Sequence, residues 1–508
     1  MTFIAGPWPK FPLVYEINTR IWLKELSARA HRGLFLNEVP NDEIERIARL
    51  GFQCIWLMGV WTTGPEAIRI ARADPDLQKD YRKALPDVSI DDIIGSPYAV
   101  SRYEVSPLLG GPQALAGLRE KMARFGLRLM LDFVPNHTSR DHEFTVTEPD
   151  VFVQGTDDDL ARNPKAFFRT SNGSVIACGR DPYFPAWEDT AQINYAQACG
   201  RSRMKEELLK IAAQCDGVRC DMAMLILPEI LERTWNSRLG ANPIRGSFWK
   251  ETIPEVRKQS PYFLFMAEAY WDLEWRLQEE GFNFTYDKTL YDRLRKNDNR
   301  GVHQHLQGDK NFEERCARFI ENHDEPRAAA AFGPGRARSA AVATFFCPGL
   351  KLFYEGQLEG RKVRPPVQLG RRPHETEDIE TAIFYEKILD VLHDPIFQDG
   401  VFEAREVQSA GWGDVSNDSI LALYWTPAPD KGHPRSLAYL IVVNLNGSRA
   451  YGRIPLPQKT FLGGKQYVFY DRFDSKRYER DGGEVAWPGL YVSLEAHQPH
   501  LFEISSKA

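Results

Sequence analysis

The sequence predicts an α/β protein: a closed (β/α)8 TIM barrel with a subdomain inserted after strand 3 and a C-terminal β-sandwich domain. Three observations lead there. Eight short runs, apolar on both faces, alternate with amphipathic helical segments. Most of those runs end in a polar or charged residue. After about residue 395 the alternation gives way to strand-like runs separated by turn residues. Runs apolar on both faces are those of parallel strands buried on both sides. Alternation with helices fits a barrel or an open doubly wound sheet. The charged strand ends favour the barrel, whose active sites collect at the C-terminal ends of its strands.

In chain order, the strands are "LVYEI" (13–17), "QCIWLM" (53–58), "LRLMLD" (127–132), "DGVRCD" (216–221), "FLFMAE" (263–268), "FNFTYD" (282–287), "ARFIEN" (317–322) and "LKLFYE" (350–355). Helices lie between them. Asn41 can cap "DEIERIARL", which Gly51 ends. "GPQALAGLREKMARFG" has Pro near its start and Gly126 behind it. "RSRMKEELLKIAAQ" and "IETAIFYEKILDVL" carry the same helical spacing. Two insertions interrupt the pattern. One is charged and spans 62–96. The other, 138–195, is rich in Asp, Asn and aromatic residues, and loops this long are usually functional. The expected organisation is therefore a barrel over 1–137 and 196–395, a subdomain over 138–195 and a β-sandwich over 396–508. Within the last, "SLAYLIVVNLNGS", "KQYVFYDRF", "GLYVSLEA" and "PHLFEI" read as strands.

Composition narrows the function. The 508 residues are 43% hydrophobic and 26% charged, with a formal net charge of −6, ordinary for a soluble globular chain. Scattered Lys and Arg argue against nucleic acid or an anionic membrane as partner. No apolar run reaches the ~20 residues of a membrane span. The N-terminal stretch makes a poor signal peptide. The seven cysteines include no C-x-x-C and several lie in expected strands. Reduced thiols and a cytoplasmic location are expected.

The strand ends carry the chemistry. "DFVPNH" holds Asp132, Asn136 and His137. "GVRCD" holds Arg219 and Asp221, and "FMAE" ends in Glu268. "FIENHDEPR" holds His323, Asp324 and Arg327. Alone, Arg219 and Asp221 read as a structural ion pair. On a barrel, all these groups converge on one mouth, which packing does not explain. Acetal cleavage needs such a set: one carboxyl gives a proton to the leaving oxygen, and an ionised one attacks the anomeric carbon. Opposed environments would separate their protonation states. Arg219 would hold Asp221 as an anion. Glu268, flanked by Met266, Ala267 and Ala269, would be the acid.

These four blocks, in this order, resemble the four conserved regions of the α-amylase family of glycoside hydrolases (family 13). The resemblance covers most of the chain, and "DFVPNH" and "NHDEPR" are near-complete matches. It implies Asp221 as nucleophile, Glu268 as general acid/base and Asp324 as transition-state stabiliser. It places Arg219, His137 and His323 around the sugar of the −1 subsite, with Asp132 as a structural or subsite carboxylate. Tyr98, in "GSPYAVSRYEV", resembles the family's tyrosine that stacks under that sugar. Arg327 lies where relatives contact sugar or Asp324. One departure stands out. Many family members continue the strand-4 block with Lys-His, where this chain has Met224 and Leu225. The sequence thus gives little support for calcium at Asn136 or for endo-amylase subsites, and no cofactor is expected.

Other candidates weigh less. His142, His303, His305 and His374 match no block, and surface positions are expected for them. Trp56 is expected in the core. Trp61, Trp187 and Trp271 could stack on sugar. The expected activity is retaining hydrolysis of a small α-glucoside or short malto-oligosaccharide through a covalent glycosyl-enzyme. A sugar acceptor would make a 4-α-glucanotransferase-like enzyme, and phosphate a sucrose-phosphorylase-like one. A non-catalytic sugar-binding relative would typically lack a catalytic carboxylate, and all three are here. The expected partner is a small sugar; oligomeric state is not legible.

Overall fold

The structure, a computed structural model, describes residues 6–240, 246–429 and 436–507. Eight strands close into a barrel: β1 (Leu13–Asn18), β2 (Cys54–Met58), β3 (Arg128–Phe133), β4 (Gly217–Cys220), β5 (Leu264–Ala267), β6 (Phe284–Tyr286), β7 (Cys316–Arg318) and β8 (Leu350–Tyr354). Their order around the barrel is β1-β8-β7-β6-β5-β4-β3-β2, so sequence neighbours are sheet neighbours. Seven lie on the expected runs to within a residue, while β7 shares only Ala317 and Arg318 with the expected 317–322. β7 is three residues long, ending at Arg318, and the chain then turns through 319–327.

Register explains why the strand ends meet. In β3–β4 Arg219 pairs with Asp132, and in β4–β5 it pairs with Met266. Paired residues of parallel strands share a face, and so do residues two further on. Asp132, Arg219, Asp221 and Glu268 therefore point the same way.

Two compact units form among the described residues. One comprises Val14–Tyr286 with Val363–His374. The other comprises Asp287–Lys362 with Trp8–Leu13 and Glu375–Ala508. In the first, the expected helices form at Asn41–Arg49, Gly111–Arg124 and Ala198–Ala212. Asn41 is the first helical residue and not the cap. That place belongs to Pro40, which has no side-chain oxygen to offer. The 62–96 insertion is not a loose loop. Helices Pro65–Ala73 and Pro75–Ala84 close on a small core of Ala71, Tyr81, Leu85, Ile93 and Leu369. Arg371 donates to both oxygens of Asp92 at 2.9 Å, and Arg20 to the carbonyls of Gly95 and Val367. The 138–195 insertion holds two short antiparallel pairs, His137–Ser139 with Thr190–Gln192 and Phe167–Arg169 with Val175–Ala177.

In the second unit, helix Ile379–Leu392 forms as expected. Beyond it lie β9 (Val401–Arg405), β10 (Ile420–Thr426), β11 (Ala438–Asn444), β12 (Ala450–Ile454), β13 (Gln466–Asp471), β14 (Arg477–Asp481), β15 (Leu490–Leu494) and β16 (Pro499–Ser506). Six make one antiparallel sheet in the order β9-β10-β11-β16-β13-β14, and β12 pairs with β15. Side chains of both sheets share one apolar core. Sequence reading misses β9, β10, β12 and β14. β9, β12 and β14 are short, and the charged residues of β9 and β14 mask them, while β10 is a continuous apolar run that periodicity alone does not separate from a helix.

Trp425 of β10 is fully buried. Its Nε1 donates to the carbonyl of Phe346, and its ring meets Phe11, Phe397 and Phe402. Trp425→Ala should cost about 3–5 kcal/mol, as truncation of a buried aromatic does. Calorimetry should show a lowered Tm; an unchanged Tm would mean this cluster does not hold the unit together.

Candidate active site

The first unit places Arg219 at the centre of the candidate site. The side chain is completely buried. Its Nη1 donates to Asp221 Oδ1 at 2.7 Å and its Nη2 to Glu268 Oε2 at 2.6 Å, while Asp132 Oδ1 lies 3.9 Å from Nη1. Burial works against its charge. The carboxylates of Glu268 and Asp221 and the rings of Tyr98 and Tyr286 more than offset that and hold its pKa well above the usual arginine value. The guanidinium also lies over Trp56, Tyr98 and Tyr286, 5.2–5.8 Å from their centroids.

Asp132 is fixed from three sides. Trp56 Nε1 donates to Oδ1 at 3.1 Å and the Gly59 amide to Oδ2 at 3.0 Å, while Trp61 Nε1 bonds the Asp132 carbonyl. Gly59 has φ +80°, and a Cβ there would lie 2.9 Å from Pro97, so only glycine brings its amide this close. Trp61, 2% exposed and edge-on to Tyr103, is a core residue and no sugar platform. Trp56 is core as expected, with its ring nitrogen spent on Asp132.

Glu268 departs from expectation. Its immediate apolar neighbours Ala267 and Ala269 do not make an apolar site, because residues i±1 in a strand face the other way. Besides Arg219, Oε2 accepts from the Met222 amide at 2.7 Å, and Oε1 accepts from the Tyr270 hydroxyl at 2.7 Å. Met222 delivers that amide from a left-handed conformation, φ +42°, at the first residue after Asp221. One guanidinium thus serves both carboxylates, and opposed surroundings do not separate them. Tyr270 escaped sequence reading, though its place two residues beyond Glu268 was a usable signal.

His137 is 4% exposed, packed against Trp187 at 5.2 Å and bonded to the Tyr98 backbone. Burial pushes its pKa down to about 3, the Tyr98 bond opposing, so the ring is neutral in ordinary buffers. His142, expected at the surface, is buried, and burial lowers its pKa to about 4. Its Nδ1 accepts from the Phe144 amide. His374 is exposed as expected, whereas His305 is tucked against Asp287. Trp271, with φ +64°, meets Tyr183 edge-on at 4.8 Å.

The second unit carries the remaining candidates. His323 Nε2 lies 2.9 Å from Asp324 Oδ2. Asn322 Oδ1 accepts the amides of Asp324 and Glu325, fixing the turn. The Asp324 side chain is 41% exposed. Arg327 is fully buried. It donates to Glu321 Oε1 at 2.7 Å and to the Glu355 carbonyl, and lies 4.1 Å over Tyr354. Asp287, also a strand end, caps the helix behind it and pairs with Arg318.

Asn136 Oδ1 accepts from Gln192 Nε2 at 3.0 Å, and Met224 and Leu225 are buried apolar side chains. Among the described residues, no group of three or more His, Cys, Asp or Glu could hold a metal ion.

The family description "Alpha amylase, catalytic domain" matches residues 41–382. The chain belongs to the α-amylase family. It is a glycoside hydrolase. Alpha-amylase 3 of Dictyoglomus thermophilum is 21% identical over 414 residues, covering 75% of this chain and 71% of that one. Salivary alpha-glucosidase of Aedes aegypti is 35% identical over 82 residues, 14% of each chain. Among solved structures, a maltogenic alpha-amylase from Thermotoga neapolitana superposes with TM-score 0.66 at 16% identity, over 97% of this chain and 99% of that one. An alpha-amylase from Geobacillus thermoleovorans, complexed with acarbose, gives 0.66 at 15%, over 99% and 100%. At that identity the likeness is one of fold. No helix among the described residues of this family member is long and apolar enough to cross a membrane.

The depressed pKa of His137 sets a pH dependence. Between its unfolded value of 6.5 and about 3, the unfolded chain takes up a proton that the folded one refuses. Its contribution is present above pH 6.5 and lost as pH falls through that window. In urea titrations, His137→Asn should lose less stability than wild type between those pH values. Parallel profiles would show that the ring is not held neutral.

Proposed function

We propose that this α-amylase family member is a retaining hydrolase of small α-glucosides or short malto-oligosaccharides. The observation that carries the reading is Arg219 bridging Asp221 and Glu268 at the ends of adjacent strands. In this reading Asp221 attacks the anomeric carbon while Glu268 protonates the departing oxygen, giving a β-linked glycosyl-enzyme and a free alcohol. Glu268 then takes a proton from water, which releases the sugar with its α-configuration.

The geometry supports a division of labour within Glu268. Oε2 is engaged by Arg219 and the Met222 amide, which leaves Oε1, beside the Tyr270 hydroxyl, to carry the working proton. Asp132, Asp221 and Glu268 gather around one guanidinium, so their full ionisation would set like charges against one another. Retaining one proton relieves that repulsion. Once Asp221 becomes an ester the repulsion falls, and Glu268 can give up its proton and act as base.

Asp324, half-open beside His323, would stabilise positive charge on the sugar ring. His137, neutral, and His323 would bind its hydroxyls, and Tyr98 would stack beneath it. Arg327, buried on Glu321, would hold the turn that presents His323 and Asp324. Met224 and Leu225 disfavour polar contacts to an extended aglycone and support short substrates. The engaged Asn136 oxygen supports function without calcium.

Anomeric proton NMR on maltose, malto-oligosaccharides, isomaltose, trehalose and sucrose should show α-glucose released first. Longer oligosaccharides would mean a glucanotransferase, and phosphate-dependent glucose 1-phosphate a phosphorylase. Asp221→Asn should lower kcat by roughly 10³-fold or more. Glu268→Gln should lose less on p-nitrophenyl α-glucoside than on maltose, because a nitrophenolate leaves without a proton. Wild-type turnover by both variants would overturn the assignment.

A further inference from the structure

The two oxygens of Glu268 are held by different kinds of donor. Oε2 takes the Arg219 guanidinium at 2.6 Å and the Met222 amide at 2.7 Å. Oε1 takes the hydroxyl of Tyr270, also at 2.7 Å. A guanidinium and an amide N–H only donate, whereas a phenol can donate, accept or rotate. The group beside Oε1 is therefore the one that can follow a proton on and off the carboxyl. Tyr270 itself is half-buried, in the segment that follows β5.

The turn beyond it keeps that hydroxyl in place. Trp271 and Asp272 both lie in the left-handed region, with φ +64° and +59°. An L-residue adopts that conformation at a steric cost, and two in succession need support from elsewhere. The Leu273 amide closes the turn on the Tyr270 carbonyl at 3.3 Å. The Trp271 ring meets Tyr183 edge-on at 4.8 Å, and the Arg233 guanidinium lies 5.0 Å over the Tyr183 ring. The Tyr183 amide is bonded in turn to Asp181 Oδ1 at 2.6 Å. Strained backbone and ring contacts together fix where Tyr270 points.

We infer that Tyr270 is a positioning residue for the proton on Glu268, making that carboxyl a stronger acid as the proton leaves. The inference rests on the reading of Glu268 as general acid/base. In the first step the Oε1–H bond breaks and the proton goes to the glycosidic oxygen, whose bond to the anomeric carbon breaks. The electron pair of Oε1–H stays on Oε1. The Tyr270 hydroxyl donates to that growing negative charge and bonds it more strongly than it bonds the neutral acid. In the second step water returns a proton to Oε1, and the phenol keeps its own throughout. The charged and titratable groups around Glu268 are Arg219 of β4, Asp221 just past it, Asp132 of β3 across the guanidinium, Tyr98 over the guanidinium, and Tyr286 of β6. Removing the Tyr270 hydroxyl leaves all of them in place.

Carbon NMR of the full chain, labelled at the glutamate carboxyl carbon, reads the effect without any substrate. The signal missing from Glu268→Gln assigns Glu268. In Tyr270→Phe, which loses only the hydroxyl, the midpoint of that signal's titration should rise by about one pH unit, because a donor to the ionised form is gone. The alkaline limb of kcat/KM should move up with it. On maltose kcat/KM should fall roughly tenfold, and on p-nitrophenyl α-glucoside far less, because a nitrophenolate leaves without the proton. A general loosening of the site would lower both rates and move no limb. An unmoved or lowered midpoint, or equal losses on the two substrates, would overturn the inference. A midpoint that rises in a chain cleaving no α-glucoside would defeat the proposed activity and leave the hold of Tyr270 on the Glu268 proton standing.

Discussion

A guanidinium with no exposed surface organises the first unit. Arg219 is charged in the interior, where a lone ion is prohibitively costly. Its charge is supportable only while Asp221 and Glu268 accept from it at 2.6–2.7 Å and three aromatic faces surround it. The converse also holds, since two adjacent buried carboxylates need a cation between them. Catalytic machinery and fold are therefore not separable here. The groups proposed for chemistry are the same groups that make the strand ends compatible with burial.

That mutual dependence extends outward through the backbone. Parallel register sets Arg219 level with Asp132, and Asp132 is fixed by two indoles and the Gly59 amide. The left-handed turn at Met222 converts a chain reversal into a hydrogen bond on Glu268. In the second unit Asn322 does comparable work by side chain, bonding two successive amides beside Asp324. Each proposed catalytic group is thus aimed by contacts from residues close to it in the chain or sheet. Such support gives a site its precision.

Barrel strands were legible in the sequence because they follow from periodicity, and the candidate carboxylates because they stand at or beyond strand ends in motif blocks that resemble a known family's. Buried parallel strands are apolar on two faces, and a charged residue at their ends breaks the pattern visibly. What was not legible depends on distance in sequence. Glu268 looked apolar from its neighbours, yet its real surroundings come from β4 and from Tyr270. Trp61 looked like a platform just past a strand end but is enclosed by Tyr103 and Asp132. Asn41 looked like a cap but sits one residue inside its helix. Short charged strands such as β14 show no periodicity to read, because sheet pairing rather than composition makes them strands.

The insertion after β2 has a consequence for how such a protein can change over evolutionary time. Its helical hairpin shares a core with Leu369, and its Asp92 is clasped by Arg371, a residue 279 positions away. Two stretches widely separated in the gene thus behave as one unit of inheritance. A lengthened hairpin without a matching 363–374 segment would strand Arg371, and a shortened one would bare Leu369. Variation in this part of the molecule should therefore travel in pairs, with changes at 62–96 answered by changes at 363–374.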